Sequence, residues 1–76
     1  MAGTTTSQIL AEMVASVLSV VVEPGDQVEA GDTVMLLESM KMEIPVLVER
    51  AGRVDEVRVV PGDVIQEGDV LVVLAH

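Results

Sequence analysis

The sequence predicts an all-β domain: a flattened eight-stranded barrel or sandwich of two antiparallel four-stranded sheets related by a pseudo-twofold axis. Three observations carry this. Shifted by 37 positions, residues 9–37 align with residues 46–74, and 11 of the 29 aligned pairs are identical. Seventeen of the 76 residues are valine and none is Phe, Trp or Tyr, so a core must come from β-branched and other aliphatic side chains that favour strands. The apolar runs are punctuated at matching places by Pro24-Gly25-Asp26 and Pro61-Gly62-Asp63, and by Gly31-Asp32 and Gly68-Asp69. These are turn signals.

Each half therefore reads strand, Pro-Gly-Asp turn, very short strand, Gly-Asp turn, strand. One local pattern disagrees. Ile9, Leu10, Met13, Val14, Val17 and Leu18 also fit the spacing of an amphipathic helix capped by Ser7. The repeat arbitrates: the partner segment, residues 46–55, follows Pro45, contains Gly52 and clusters valine, which suits a strand with a break. Strands are accordingly expected over residues 8–13 and 16–22. Residues 1–7 are expected to be a flexible N-terminal tail, and residues 8–76 the domain. Two equivalent halves, each too apolar on one face to stand alone, imply two sheets packed face to face.

Composition narrows the function classes. A chain of this length forms one small domain, with no room for a separate catalytic one. Thirteen acidic residues against four basic give a net charge of −9, which argues against nucleic-acid binding and favours a monomer that meets basic docking surfaces. The acids also serve simply to solvate a very apolar chain. There is no cysteine, so neither disulfides nor thiolate metal ligands are available, and cytoplasm is the default compartment. No basic start precedes the first apolar stretch, which is broken by Glu12, so no secretory signal is read. Apolar runs fall far short of a membrane helix, and a soluble protein is expected. The Asp residues of the Gly-Asp pairs invite a calcium reading, but turn chemistry accounts for them. His76 is assigned nothing.

Between the halves lie residues 38–43, a hairpin with Lys41, the only lysine, at its tip. If Met40 and Lys41 are the central residues of a tight turn, Ser39 pairs with Met42, Glu38 with Glu43 and Leu37 with Ile44. Met-Lys is a poor choice for such a turn, where Asn-Gly or Asp-Gly is preferred, and Glu38 facing Glu43 sets like charges opposite each other. Local rules broken at one place in a consistent sequence mark a functional site. Met40 and Met42, beside the tip, are poorer core candidates than Met13 or Met35.

The segment Glu38-Ser39-Met40-Lys41-Met42-Glu43 resembles the biotin-attachment sequence of biotin carboxyl carrier domains, whose usual core is Ala-Met-Lys-Met, within the wider biotinyl/lipoyl family. The resemblance spans residues of about 9–75 and includes the duplicated Gly-Asp turns. It implies a barrel-sandwich hybrid fold and covalent attachment of biotin to Lys41 by a biotin protein ligase. Met40 and Met42, with Glu38, Ser39 and Glu43 around them, would be read by that ligase. It further implies a swinging-arm carrier of carboxyl groups between biotin carboxylase and carboxyltransferase subunits, with no catalytic residues and no metal of its own. Ser39 stands where the family usually has Ala. The segment after residue 16 runs straight into Pro24-Gly25 without the insertion called the thumb in some bacterial carriers, and the family's Ala/Pro-rich tether is not seen.

Two other readings compete. A lipoyl carrier shares the fold and the hairpin lysine, but an Asp typically precedes that lysine and a small residue follows it, whereas both neighbours here are Met. A non-carrier assembly module would keep the fold with an unmodified lysine. An enzyme in its own right is disfavoured, since there is no Ser/His/Asp set, phosphate-cradling glycine loop or metal cluster.

Overall fold

A computed structural model describes residues 5–76, and eight strands are the regular structure in it. They are β1 (Thr6–Leu10), β2 (Ala15–Val20), β3 (Gln27–Val28), β4 (Thr33–Ser39), β5 (Met42–Leu47), β6 (Gly52–Val57), β7 (Val64–Ile65) and β8 (Val70–Ala75). One sheet has the order β1-β8-β6-β3 and the other β5-β4-β2-β7, all pairs antiparallel. The 37-residue shift carries each strand of one sheet onto the strand at the same place in the other. Each sheet thus mixes strands of both halves, so the two repeats are interleaved rather than stacked.

Four turns of one design make the interleaving possible. Gly25, Gly31, Gly62 and Gly68 have φ of 99°, 94°, 97° and 93°, a region where glycine carries no Cβ penalty. In each turn the Asp after the glycine donates its amide to the carbonyl three residues back, and its Oδ2 accepts the amide of that same residue at 2.8–3.0 Å. The Asp residues are thereby occupied in closing their turns, the role turn chemistry assigned them. The glycine amides then reach into the other half. Gly25 donates to Val54 and Gly62 to Val17; Gly31 donates to Val48 and Gly68 to Ala11, each at 2.8 Å.

The core lies between the sheets and is aliphatic throughout. Val34, Met35, Leu71 and Val72 are wholly buried, with Val54, Ile65 and Leu74 nearly so, and no polar or charged residue is buried among the described residues. Burying each such Leu, Ile, Val or Met side chain contributes about 1.5–3 kcal/mol.

The helical spacing of Ile9 to Leu18 is overridden: β1 and β2 are strands, as the repeat required. Their limits differ from expectation. The first strand ends at Leu10 rather than residue 13, because the amide and carbonyl of Ala11 are taken by Asp69 and Gly68 of the opposing turn, and the chain bends at Met13. The second ends at Val20 rather than residue 22. Of the tail expected over residues 1–7, residues 1–4 lie outside the described residues. Thr6 and Ser7 belong instead to β1, paired with Ala75 and Leu74.

Candidate functional site

The β4–β5 hairpin has the register read from the sequence: Ser39 pairs with Met42, Glu38 with Glu43 and Leu37 with Ile44. A two-residue connection between antiparallel strands matches their right-handed twist when both central residues are left-handed. Met40 and Lys41 adopt that conformation, with φ of 54° and 65°, and they are the only described non-glycine residues with positive φ. An L-residue there costs about 1–2 kcal/mol. The four glycine turns avoid this; the hairpin accepts it.

The strands beneath hold the tip rigidly. Leu37 is buried and Ile44, its partner, packs on the core, so the hairpin is anchored three residues below the lysine. Above that row every residue but Ser39 opens to solvent. Met40 is 91% exposed and Met42 64% exposed, which removes both from the core, in contrast to Met35 at 0% and half-buried Met13. Two exposed methionines form a flexible apolar contact surface around a polar tip. Ser39 is half-buried at the end of β4, beneath the turn.

Glu38 and Glu43 face each other across the hairpin as expected, both exposed. Among the described residues the one ion pair is Arg58–Glu56, at 3.6 Å, so Lys41 is not held by either glutamate. Its amine stands free at the end of its four-carbon stem. A concavity of about 1170 Å³ opens between the edges of β1 and β5 and has apolar walls that include Ile9, Leu37, Ile44 and Leu74; Lys41 does not line it. The site is therefore a protrusion. It can present a group attached to it but cannot enclose one.

Sequence reasoning missed the part played by His76. Its amide donates to Thr5, its Nδ1 donates to the carbonyl of Ala51 at 2.9 Å, and its Nε2 lies 2.6 Å from the Ser7 hydroxyl. The ring fastens the start of β1 to the β5–β6 loop. Gly52 makes room for it, since a Cβ there would lie 2.7 Å from the Ala75 carbonyl oxygen and 2.8 Å from His76 Nδ1. A lone histidine carries no pattern in sequence, and Gly52 read only as a strand break. Among the described residues no three His, Cys, Asp or Glu side chains form a metal-binding group.

Residues 5–74 match the family model described as biotin-requiring enzyme, of the biotin/lipoyl type. The biotinylated protein TB7.3 of Mycobacterium tuberculosis is 72% identical over 39 residues, which are 51% of this chain and 55% of that protein. The match thus spans about half the length of this curated relative. Among solved structures, a single-chain, multi-domain long-chain acyl-CoA carboxylase superposes with a TM-score of 0.85 at 33% identity, covering 92% of this chain and 7% of that one. The urea carboxylase of Kluyveromyces lactis superposes with a TM-score of 0.87 at 30% identity, covering 97% of this chain and 6% of that one. A family match over almost the whole chain, a close superposition on segments of two carboxylases and a lone lysine on a solvent-facing hairpin converge: the chain belongs to the biotin/lipoyl attachment family of biotin-requiring enzymes.

Proposed function

We propose that Lys41 is the attachment point of covalent biotin and that the domain carries carboxyl groups between the biotin carboxylase and carboxyltransferase sites of a biotin-dependent carboxylase. The cofactor is biotin: the family is that of biotin-requiring enzymes, and relatives such as TB7.3 are described as biotinylated. The observation that carries the site is the tip itself, where the chain's only lysine occupies a left-handed turn between two exposed methionines. The likeness to segments of an acyl-CoA carboxylase and a urea carboxylase supports the carboxylase assignment.

The residues of the chain divide the work simply. The Lys41 amine attacks the activated acyl carbon of biotinyl adenylate, forming an amide and releasing AMP. The attack uses the neutral amine, and a base of the ligase takes up the proton it loses. Met40 and Met42, with Glu38, Ser39 and Glu43, form the surface the ligase reads. Once acylated, the nitrogen is a neutral amide, and the bound biotin supplies the ureido nitrogen that carries carbon dioxide. The protein contributes reach and presentation.

Intact mass spectrometry of protein from cells containing a biotin ligase, followed by peptide mapping, tests the reading. The expected result is one biotinyl group on Lys41. A lipoyl mass would move the chain to the other branch of the family, and an unmodified lysine beside an active ligase would make it an assembly module.

A further inference from the structure

The pseudo-twofold axis makes the molecule its own control, because any surface position in one sheet has a counterpart 37 residues away in the same backbone setting. Among the described residues, nine large hydrophobic residues are exposed. Leu10 and Leu47 are counterparts of each other, so they belong to the architecture, and Met40 and Met42 belong to the hairpin. The remaining five are Val14, Leu18, Val21, Val60 and Val64, between 39% and 70% exposed. Leu18 and Val64 lie in β2 and β7, and Val14, Val21 and Val60 in the segments that flank these strands, at one side of the sheet that carries the Lys41 hairpin.

Their counterparts are Ala51, Asp55, Arg58, Glu23 and Gln27, all exposed. At four of the five positions the equivalent site is charged or polar, and at the fifth it is the smaller Ala51, so the fold itself does not require the valines and leucine. Leu18 and Asp55 show this best. Each is the extra residue at a register shift, between Val17 and Ser19 on β2 and between Val54 and Glu56 on β6. Identical backbone irregularities present leucine on one side and aspartate on the other.

Charge follows the same division. Arg50, Arg53 and Arg58 all lie in or beside β6, on the other sheet, and their counterparts are Met13, Ser16 and Val21. The charged residues within the four strands of the hairpin sheet are Glu38 and Glu43, and Glu12, Glu23 and Asp63 flank the aliphatic edge. The near end of the edge lies across the sheet from the site. Val64 pairs with Ser16 and Ser16 with Glu38, two strand spacings or about 10 Å at roughly 4.8 Å each, and Glu38 is three residues, about 10 Å, from Lys41. From there the edge runs away from the tip to Leu18, Val21 and Val60. It is therefore a surface that a protein handling the hairpin meets only if it also grips the body of the domain.

We propose that the exposed aliphatic edge of β2 and β7 is the docking surface by which this domain is held on a carboxylase subunit, whose matching surface is apolar at its centre and basic at its rim. This rests on the carrier function proposed above. The acidic rim matches such a partner and disfavours a second copy of the same chain, which would bring like charge to like charge. Burial of this aliphatic edge would hold the hairpin at a fixed distance from the partner's site, leaving the lysine stem to supply the motion.

The test transplants the counterpart residues. In the quadruple variant Leu18→Asp, Val21→Arg, Val60→Glu, Val64→Gln, each new residue is one the same backbone already carries on the other face; a far-ultraviolet circular dichroism melt verifies folding. Biotinylated wild type and variant are used as the varied substrate of a carboxylase reconstituted from purified biotin carboxylase and carboxyltransferase subunits. A KM for the carrier raised at least tenfold, with kcat within twofold of wild type, is expected. The mirror variant Asp55→Leu should leave KM unchanged. The proposal is overturned by an unchanged KM in the quadruple variant or by equal effects of the two faces. It is overturned equally by a loss confined to the rate of biotinylation, which would assign the edge to the ligase. Wild-type dimers that the quadruple variant abolishes would assign it to self-association. Streptavidin binding is scored separately on wild type, so a failure of the attachment reading is distinguishable from a failure of docking.

Discussion

Gly31 and Gly68, 37 residues apart, hold φ of 94° and 93°, and the amide of each donates to the opposite half of the molecule, to Val48 and Ala11, at the same 2.8 Å. A Cβ at either position would meet nothing within 4 Å. The penalty for a side chain is therefore one of backbone conformation alone, about 1–3 kcal/mol for a β-branched residue. Gly31→Val and Gly68→Val should lower stability by similar amounts, read in thermal melts followed by far-ultraviolet circular dichroism. If one unfolds the domain and the other is silent, the equivalence of the halves is lost.

Gly52 offers the opposite case. Its counterpart is Ala15, yet a methyl group at Gly52 would press on the Ala75 carbonyl and the His76 ring. Gly52→Ala is expected to destabilise by about 1–3 kcal/mol, although the same substitution at an unobstructed site slightly stabilises. A raised denaturation midpoint would show that β8 and His76 can retreat freely.

Lys41→Arg should abolish streptavidin binding and leave the melting temperature within a few degrees of wild type. The side chain makes no core contact, and arginine keeps the charge but forms no stable amide. Any labelling that survives would place the attachment away from the hairpin, with no second lysine to receive it.

Met42→Ala should slow biotinylation several-fold while changing stability by less than about 1 kcal/mol, since Met42 is 64% exposed and pairs only with Ser39 at the strand end. The comparison sets ligase turnover against the urea midpoint. Normal labelling with a large stability loss would return this side chain to the core.

The hairpin tip carries a measurable penalty of its own. Replacing Met40→Asn and Lys41→Gly together supplies the residues that left-handed turns favour, and should stabilise the domain by about 1–2 kcal/mol while removing the attachment point. An unchanged or lowered midpoint in urea would mean that the Met-Lys turn is not strained.

What was legible in the sequence depended on repetition and period. The matching Gly-Asp pairs marked the turns, the duplication overruled the helical spacing of Ile9 to Leu18, and a two-residue tip determined the pairing of Leu37 with Ile44 three rows below. The site was legible because Met40 and Lys41 break the turn rule that the glycines obey. Less visible was anything decided by approach of distant segments. The end of β1 follows from Ala11 bonding to the turn that holds Gly68 and Asp69, and the pairing of Thr6 and Ser7 follows from where β8 runs. The exchange of strands between the sheets had no local signature, since a repeat folds upon itself or through its mate with the same alternation of apolar and polar residues.

That exchange gives the hairpin an unusual mechanical status. With every strand of one repeat lying in a sheet that also holds strands of the other, the two halves would remain clasped by their shared ladders even if the chain between them were parted. The β4–β5 tip is the one covalent crossing from half to half, yet it is not what keeps them together. An enzyme can bend, grip or pull on Lys41 without working loose the apolar interior beneath it, because the force is borne by two interlocked sheets rather than by the loop it acts upon.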